Sequence, residues 1–118
     1  MDFRVDISEL AETDIENIFG WLRKRTEDVV RNWYISWLAA KRLLEYFPKR
    51  CPVALETRSF LIDIRHLLFG GGSLQYRIIF GVSVAETSGD GVVTIYRVRN
   101  SMQRPLSASE IFGEDDYE

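Results

Sequence analysis

Five arginines in the second half of the chain are the residues best suited to chemistry: Arg65, Arg77, Arg97, Arg99 and Arg104. A guanidinium keeps its charge at any physiological pH and grips carboxylates or phosphates through paired N–H donors. Three of the five fall within "VVTIYRVRNSMQRPL" (92–106), a segment suited to holding an anion or an acidic partner. Proton transfer needs other groups: Glu56 is the candidate base, and His66 is the only histidine in the chain. Cys51 is the only cysteine, which excludes an internal disulfide and a thiolate metal site and reads as a passive loop residue. No tight carboxylate cluster accompanies the arginines, so neither a metal nor a cofactor is expected.

The arginines sit in a chain whose formal net charge is -3, and the charge is divided along it. Residues 1–20 carry Arg4 against Asp2, Asp6, Glu9, Glu12, Asp14 and Glu16. Residues 41–109 hold ten Lys or Arg against five Asp or Glu, and the last nine residues add five acids and no base. The basic part is therefore the part that faces a polyanion or an acidic partner. A hydrophobic content of 46% in 118 residues indicates one folded domain, assigned to 1–109, with 110–118 as an acidic tail. The sequence has no apolar run long enough to span a membrane and no signal-peptide layout at its start, so the expected location is cytoplasmic.

The elements that must position the arginines are legible. "FRVDI" alternates as a strand, and Ser8 is placed to cap a helix whose stripe is Ala11, Ile15, Ile18 and Leu22. Thr26 starts a second helix with the stripe Val30, Trp33, Trp37, Ala40, Leu44 and Phe47, stopped by Pro48. Three strands follow at 61–68, 74–82 and 92–99, separated by the turn segments "FGGGS" and "AETSGDG". Short links pair consecutive strands antiparallel. The expected class is α+β, in the order β-α-α-β-β-β, with a helical hairpin on one face of a curled antiparallel sheet.

Period-two parity then sorts the side chains. Tyr76, Ile78 and Phe80 share the face under the helices, with Arg77 and Ile79 opposite. Ile62, Ile64, His66 and Leu68 are assigned to the helix side, and Asp63, Arg65 and Leu67 to the other. In the last strand Arg97 and Arg99 alternate with Tyr96 and Val98. On that reading Arg65, Arg77, Arg97 and Arg99 emerge together on an uncovered face, where they repel one another unless something anionic is present. The alternative is a solvated charged face, neutralised by Glu45, Glu56, Asp63 or the tail.

The order of elements, with "AETDIENIFGWL", "LEYFPKRCP", "IRHLLFGGGSLQYRIIF" and "VVTIYRVRNSMQRPL", resembles the RelE/ParE superfamily of bacterial type II toxins over roughly residues 3–106. The resemblance implies a toxin neutralised by a cognate antitoxin and acting either on DNA gyrase or on ribosome-bound messenger RNA. It implies no sequence-specific DNA binding by the toxin alone. The "FPKR" and "RPL" segments lean towards the ParE-like, plasmid-stabilisation branch. Partner contacts are expected from Arg65, Arg77, Arg97, Arg99, Asn100 and Arg104. On the other branch, a metal-independent RNA endonuclease, Arg77 and Arg99 would stabilise the phosphorane and Glu56 would take the 2′-hydroxyl proton. Many relatives carry histidine where this chain has Asn100, and an amide exchanges no protons near neutrality. That departure favours the binding toxin. A third possibility is a decayed homologue that binds only its antitoxin.

Overall fold

The computed structural model describes residues 2–54, 64–84 and 88–112. The class is α+β: a first strand, two helices, then three strands and a short terminal helix. They are β1 (Phe3–Ile7), α1 (Glu9–Leu22), α2 (Glu27–Tyr46), β2 (Arg65–Phe69), β3 (Tyr76–Val84), β4 (Gly91–Asn100) and α3 (Ala108–Phe112).

Both long helices start where hydroxyl side chains can cap them. Ser8 Oγ accepts the Ala11 N–H at 3.1 Å and Thr26 Oγ1 accepts that of Val29 at 3.4 Å, with acidic residues in each first turn. Between β2 and β3 the glycine-rich segment makes a tight turn. Gly70 and Gly72 have φ of 78° and 60°, and a Cβ on Gly70 would strike the Leu74 carbonyl oxygen.

The sheet order is β1-β4-β3-β2. β2, β3 and β4 pair antiparallel as consecutive strands with short links should, whereas β1 joins the far edge of β4 in parallel, Phe3 opposite Gly91 and Ile7 opposite Ile95. The sheet is therefore mixed.

One face packs under α1 and α2. Trp33 and Trp37 stack nearly parallel at 6.4 Å, Trp33 meets Tyr76 edge-on at 5.7 Å, and Phe19 of α1 meets Trp33 at 5.0 Å. Ile78, Phe80, Val93, Ile95 and Val98 complete this core from the sheet.

The opposite face is not uncovered, which corrects the parity reading. Ile64, Ile79, Ala54, Leu106 and Ile111 form a second apolar cluster with Tyr96 packed against it. Tyr96 lies over Gly81, where a Cβ would come 2.9 Å from the phenol oxygen, and its ring meets Phe112 edge-on at 5.0 Å. The segment from Leu106 through α3 thus folds back across the sheet. Ile111 is buried, so α3 runs across the boundary drawn at 109; residues 113–118 lie outside the described residues.

Two further assignments change. β2 shows its sets on faces opposite to those expected: Arg65 pairs with Phe80, Leu67 with Ile78 and Phe69 with Tyr76 on the helix side, leaving Ile64, His66 and Leu68 on the second face. Parity yields two sets but not which one faces inward. β4 is bulged, with Ile79 opposite Arg97 and Phe80 opposite Ile95. Tyr96 is the extra residue, and it falls on the same side as Arg97 instead of opposite it.

Candidate functional site

Four of the five arginines converge on the second face. Arg77 and Arg99 are directly opposed on β3 and β4, and Arg97 follows two residues before Arg99. Arg104 joins them from the segment after β4. Arg65 does not: it lies on the helix side and donates to the Cys51 carbonyl at 2.7 Å, tying β2 to the turn after α2. Burial pushes the Cys51 thiol up, and nearby Arg65 opposes the shift in part.

Arg97 is neutralised from within. Its Nε and Nη2 donate to the Asp14 carboxylate at 2.7 and 2.8 Å, and Nη1 donates to the Glu110 carbonyl oxygen. The geometry follows from the length of β1. That strand ends opposite Ile95, so the β4 edge beyond it needs other partners, and α1 supplies them. Ser8 N–H bonds the Ile95 carbonyl at 3.0 Å, Ser8 Oγ donates to the Tyr96 carbonyl at 2.9 Å, and Asp14 accepts the Val98 N–H at 3.0 Å. The Asp14 hydrogen bonds hold the Arg97 pKa above its ordinary value. Asp14 is a site residue that the sequence reading passed over as one more N-terminal acid. The available signal was its spacing, three residues after Ala11 and four before Ile18, which sets a carboxylate against the buried stripe.

Arg104 is also occupied. Nη1 and Nη2 make a forked pair with Glu110 at 2.9 and 2.7 Å, and Glu110 Oε1 accepts the Ser107 N–H at 2.9 Å. These bonds, the Arg104 fork first, hold the Glu110 carboxyl down at about 2.

Arg77 is 7% exposed, and its Nη1 stands 3.4 Å from His66 Nδ1. The expectation that His66 faces the helices is therefore overturned: the histidine lies on the arginine face.

Arg99 differs from all of these. Its Nε is buried with no hydrogen-bond partner among the described residues. Burial lowers its pKa first, and Arg97, Arg104 and Arg77 lower it further, with Glu110 opposing. Arg99 also lines an open groove of about 400 Å³ between β4 and α1, walled by Asn17, Trp21, Asn100 and Gln103. Trp21 is 44% exposed there and carries the Arg25 guanidinium 4.1 Å over its ring. Asn100 has a local role in this wall. Its amide donates to the Ser73 carbonyl at 3.0 Å and accepts the Met102 N–H at 2.9 Å, pinning the β2–β3 turn to the end of β4.

Glu56 and Asp63 lie outside the described residues, and Glu45 sits on α2, across the sheet from the arginines. Among the described residues no group of three or more His, Cys, Asp or Glu is placed to hold a metal ion, and no helix is long and apolar enough to cross a membrane. Comparison with protein-family models finds no match, and comparison with curated proteins finds none either. Among the described arginines of this face, Arg99 is the one without a hydrogen-bond partner among the described residues, at the rim of a groove whose lining includes carboxamides and an indole, beside an imidazole–guanidinium pair.

Proposed function

We propose that the chain is a growth-arresting toxin of the RelE/ParE kind that works by gripping a protein target such as DNA gyrase, and that a cognate antitoxin neutralises it. The observation that carries this reading is the state of the arginine face. Asp14 and Glu110 occupy Arg97 and Arg104, Arg77 is buried, and Arg99 is left with an unsatisfied donor beside a groove. Such a surface suits one acidic or carbonyl group of a partner better than a run of phosphates, because only one cation remains uncommitted among the described arginines of that face.

A second reading is favoured by one observation. His66 stands beside Arg77 on the face that also bears Arg99, and imidazole is a group that can exchange a proton near neutrality. In a metal-independent RNA endonuclease His66 would move the proton and the arginines would stabilise the phosphorane. The decayed homologue is the reading left if neither activity exists.

Expression of the chain alone, with and without a candidate antitoxin, is the first test. Growth arrest relieved by the antitoxin is expected. Purified protein should then block gyrase supercoiling while messenger RNA stays intact, and Arg99→Ala should abolish the block. Codon-phased cuts that vanish in His66→Ala, with gyrase unaffected, would move the assignment to the nuclease. Normal growth at high soluble expression would leave only the decayed homologue.

A further inference from the structure

We infer that the outward face of α2 is a self-association surface, on which a second copy of this chain docks antiparallel about a two-fold axis near Leu38. α2 buries Trp33, Trp37, Ala40 and Leu44 against the sheet. At about 100° per residue, the positions directly opposite that stripe are Arg31, Ile35, Leu38 and Arg42, with Glu45 and Tyr46 flanking them. A helix face turned away from its own core is normally polar. Here Ile35 is 55% exposed and Leu38 44%, and Tyr34 and Tyr46 are exposed alongside them.

The charges beside this stripe choose the occupant. Glu27 and Asp28 stand at the start of α2, whereas Lys41 and Arg42 stand in its second half, with Lys49 just beyond its end. An antiparallel copy therefore lays acid over base at both ends and opposes the two helix dipoles favourably. The register is specific. With the axis at Leu38, Arg31 and Glu45, each seven residues away, face each other, and Tyr34 meets Arg42, each four away. Moving the axis to midway between Ile35 and Leu38 sets Arg31 against Arg42 and Asp28 against Glu45, so both contacts become repulsive. That register sets Leu38 on its own copy and Arg31 against Glu45, lays Ile35 along the Lys41 methylenes and brings no like charges together. The surface lies on the side of α2 away from the sheet, so pairing leaves the Arg99 groove uncovered.

Sedimentation equilibrium of the full chain tests the proposal. Wild type should form dimers as its concentration rises. Leu38→Glu should place like charges on the axis and raise the dimer dissociation constant at least about tenfold. Arg31→Glu and Glu45→Arg should each weaken pairing similarly, and the double charge swap should restore it. The swap variants keep the apolar stripe intact, so they decide the matter if Leu38→Glu does not fold. A wild type that stays monomeric up to about 1 mM overturns the proposal and leaves the stripe to a different protein chain. So does a dimer indifferent to Leu38→Glu, or a double swap no better than its single variants.

Discussion

The two faces of the sheet are built from alternate residues of the same strands, yet they are held by different forces. Under α1 and α2, Ile78 and Phe80 meet a stack of indole and phenyl rings, and the ion pair that joins these helices to the sheet among the described residues, Asp14–Arg97, lies at the β4 edge and outside that stack. On the reverse, Arg77 and Ile79 meet a small cluster of five buried residues ringed by guanidinium groups, and a five-residue helix closes it. Dispersion and area removed from water dominate the first face. The second depends on matching each charge, and among the described residues it leaves Arg99 unmatched. Groups that a protein keeps ready for a partner belong on the less self-sufficient side.

That contrast can be broken by removing one ring from the first face. Trp33→Ala should cost about 3–5 kcal/mol, since it empties the centre of the aromatic stack, and thermal melting should show global loss. A loss under about 1 kcal/mol would mean that the helix face is not the stabilising one.

On the second face the largest effect should come from Asp14→Ala. It strands Arg97, whose side chain is 21% exposed, and leaves the Val98 N–H unbonded. The expected cost is about 2 kcal/mol, below that of a fully buried pair because water still reaches part of the guanidinium. Urea unfolding measures it.

Arg99→Ala should act in the opposite sense. Removing an unsatisfied cation from among three others should leave stability within about 0.5 kcal/mol of wild type or raise it slightly, while partner binding is lost. A melt and a binding titration on one preparation separate the two effects.

The smallest effect is one of pH. The Glu110 carboxyl is held below its ordinary 4.5, at about 2, so what it contributes is complete above 4.5 and is lost as pH falls towards 2. Methyl resonances of Ile111 should report α3 loosening in that window, and Arg104→Ala should move the transition up towards 4.5. No movement would show that α3 is held without the Arg104–Glu110 fork, by Ile111, Phe112 and the Arg97 bond to the Glu110 carbonyl.

The parts of this molecule that were legible in sequence were those that a local rule governs. Ser8 and Thr26 announce their helices through hydroxyl caps, and Gly70 and Gly72 announce a turn through their backbone freedom. What was hidden depends on contacts between distant segments. Period two sorted the side chains of β2 correctly into sets, but nothing local says that Leu67 and Phe69, not Ile64 and His66, should meet the helices. The bulge at Tyr96 reset the parity of β4 midway. The cover over the arginines was signalled only faintly, by Leu106, Ile111 and Phe112 standing near an acidic terminus. Asp14 was masked by its acidic neighbours.

The parallel pairing of β1 with β4 also bears on how the chain comes into being. Phe3 finds Gly91, and Ile7 finds Ile95, only when the chain through β4 has left the ribosome. Until then the first strand has no ladder, the last β4 amides lack their α1 partners, and the Arg97–Asp14 bond cannot exist. A nascent chain stopped before Gly91 carries both long helices and none of the β4 arginines. The completed surface is thereby tied to the synthesis of β4 and of the segment behind it, and no shorter product can carry it.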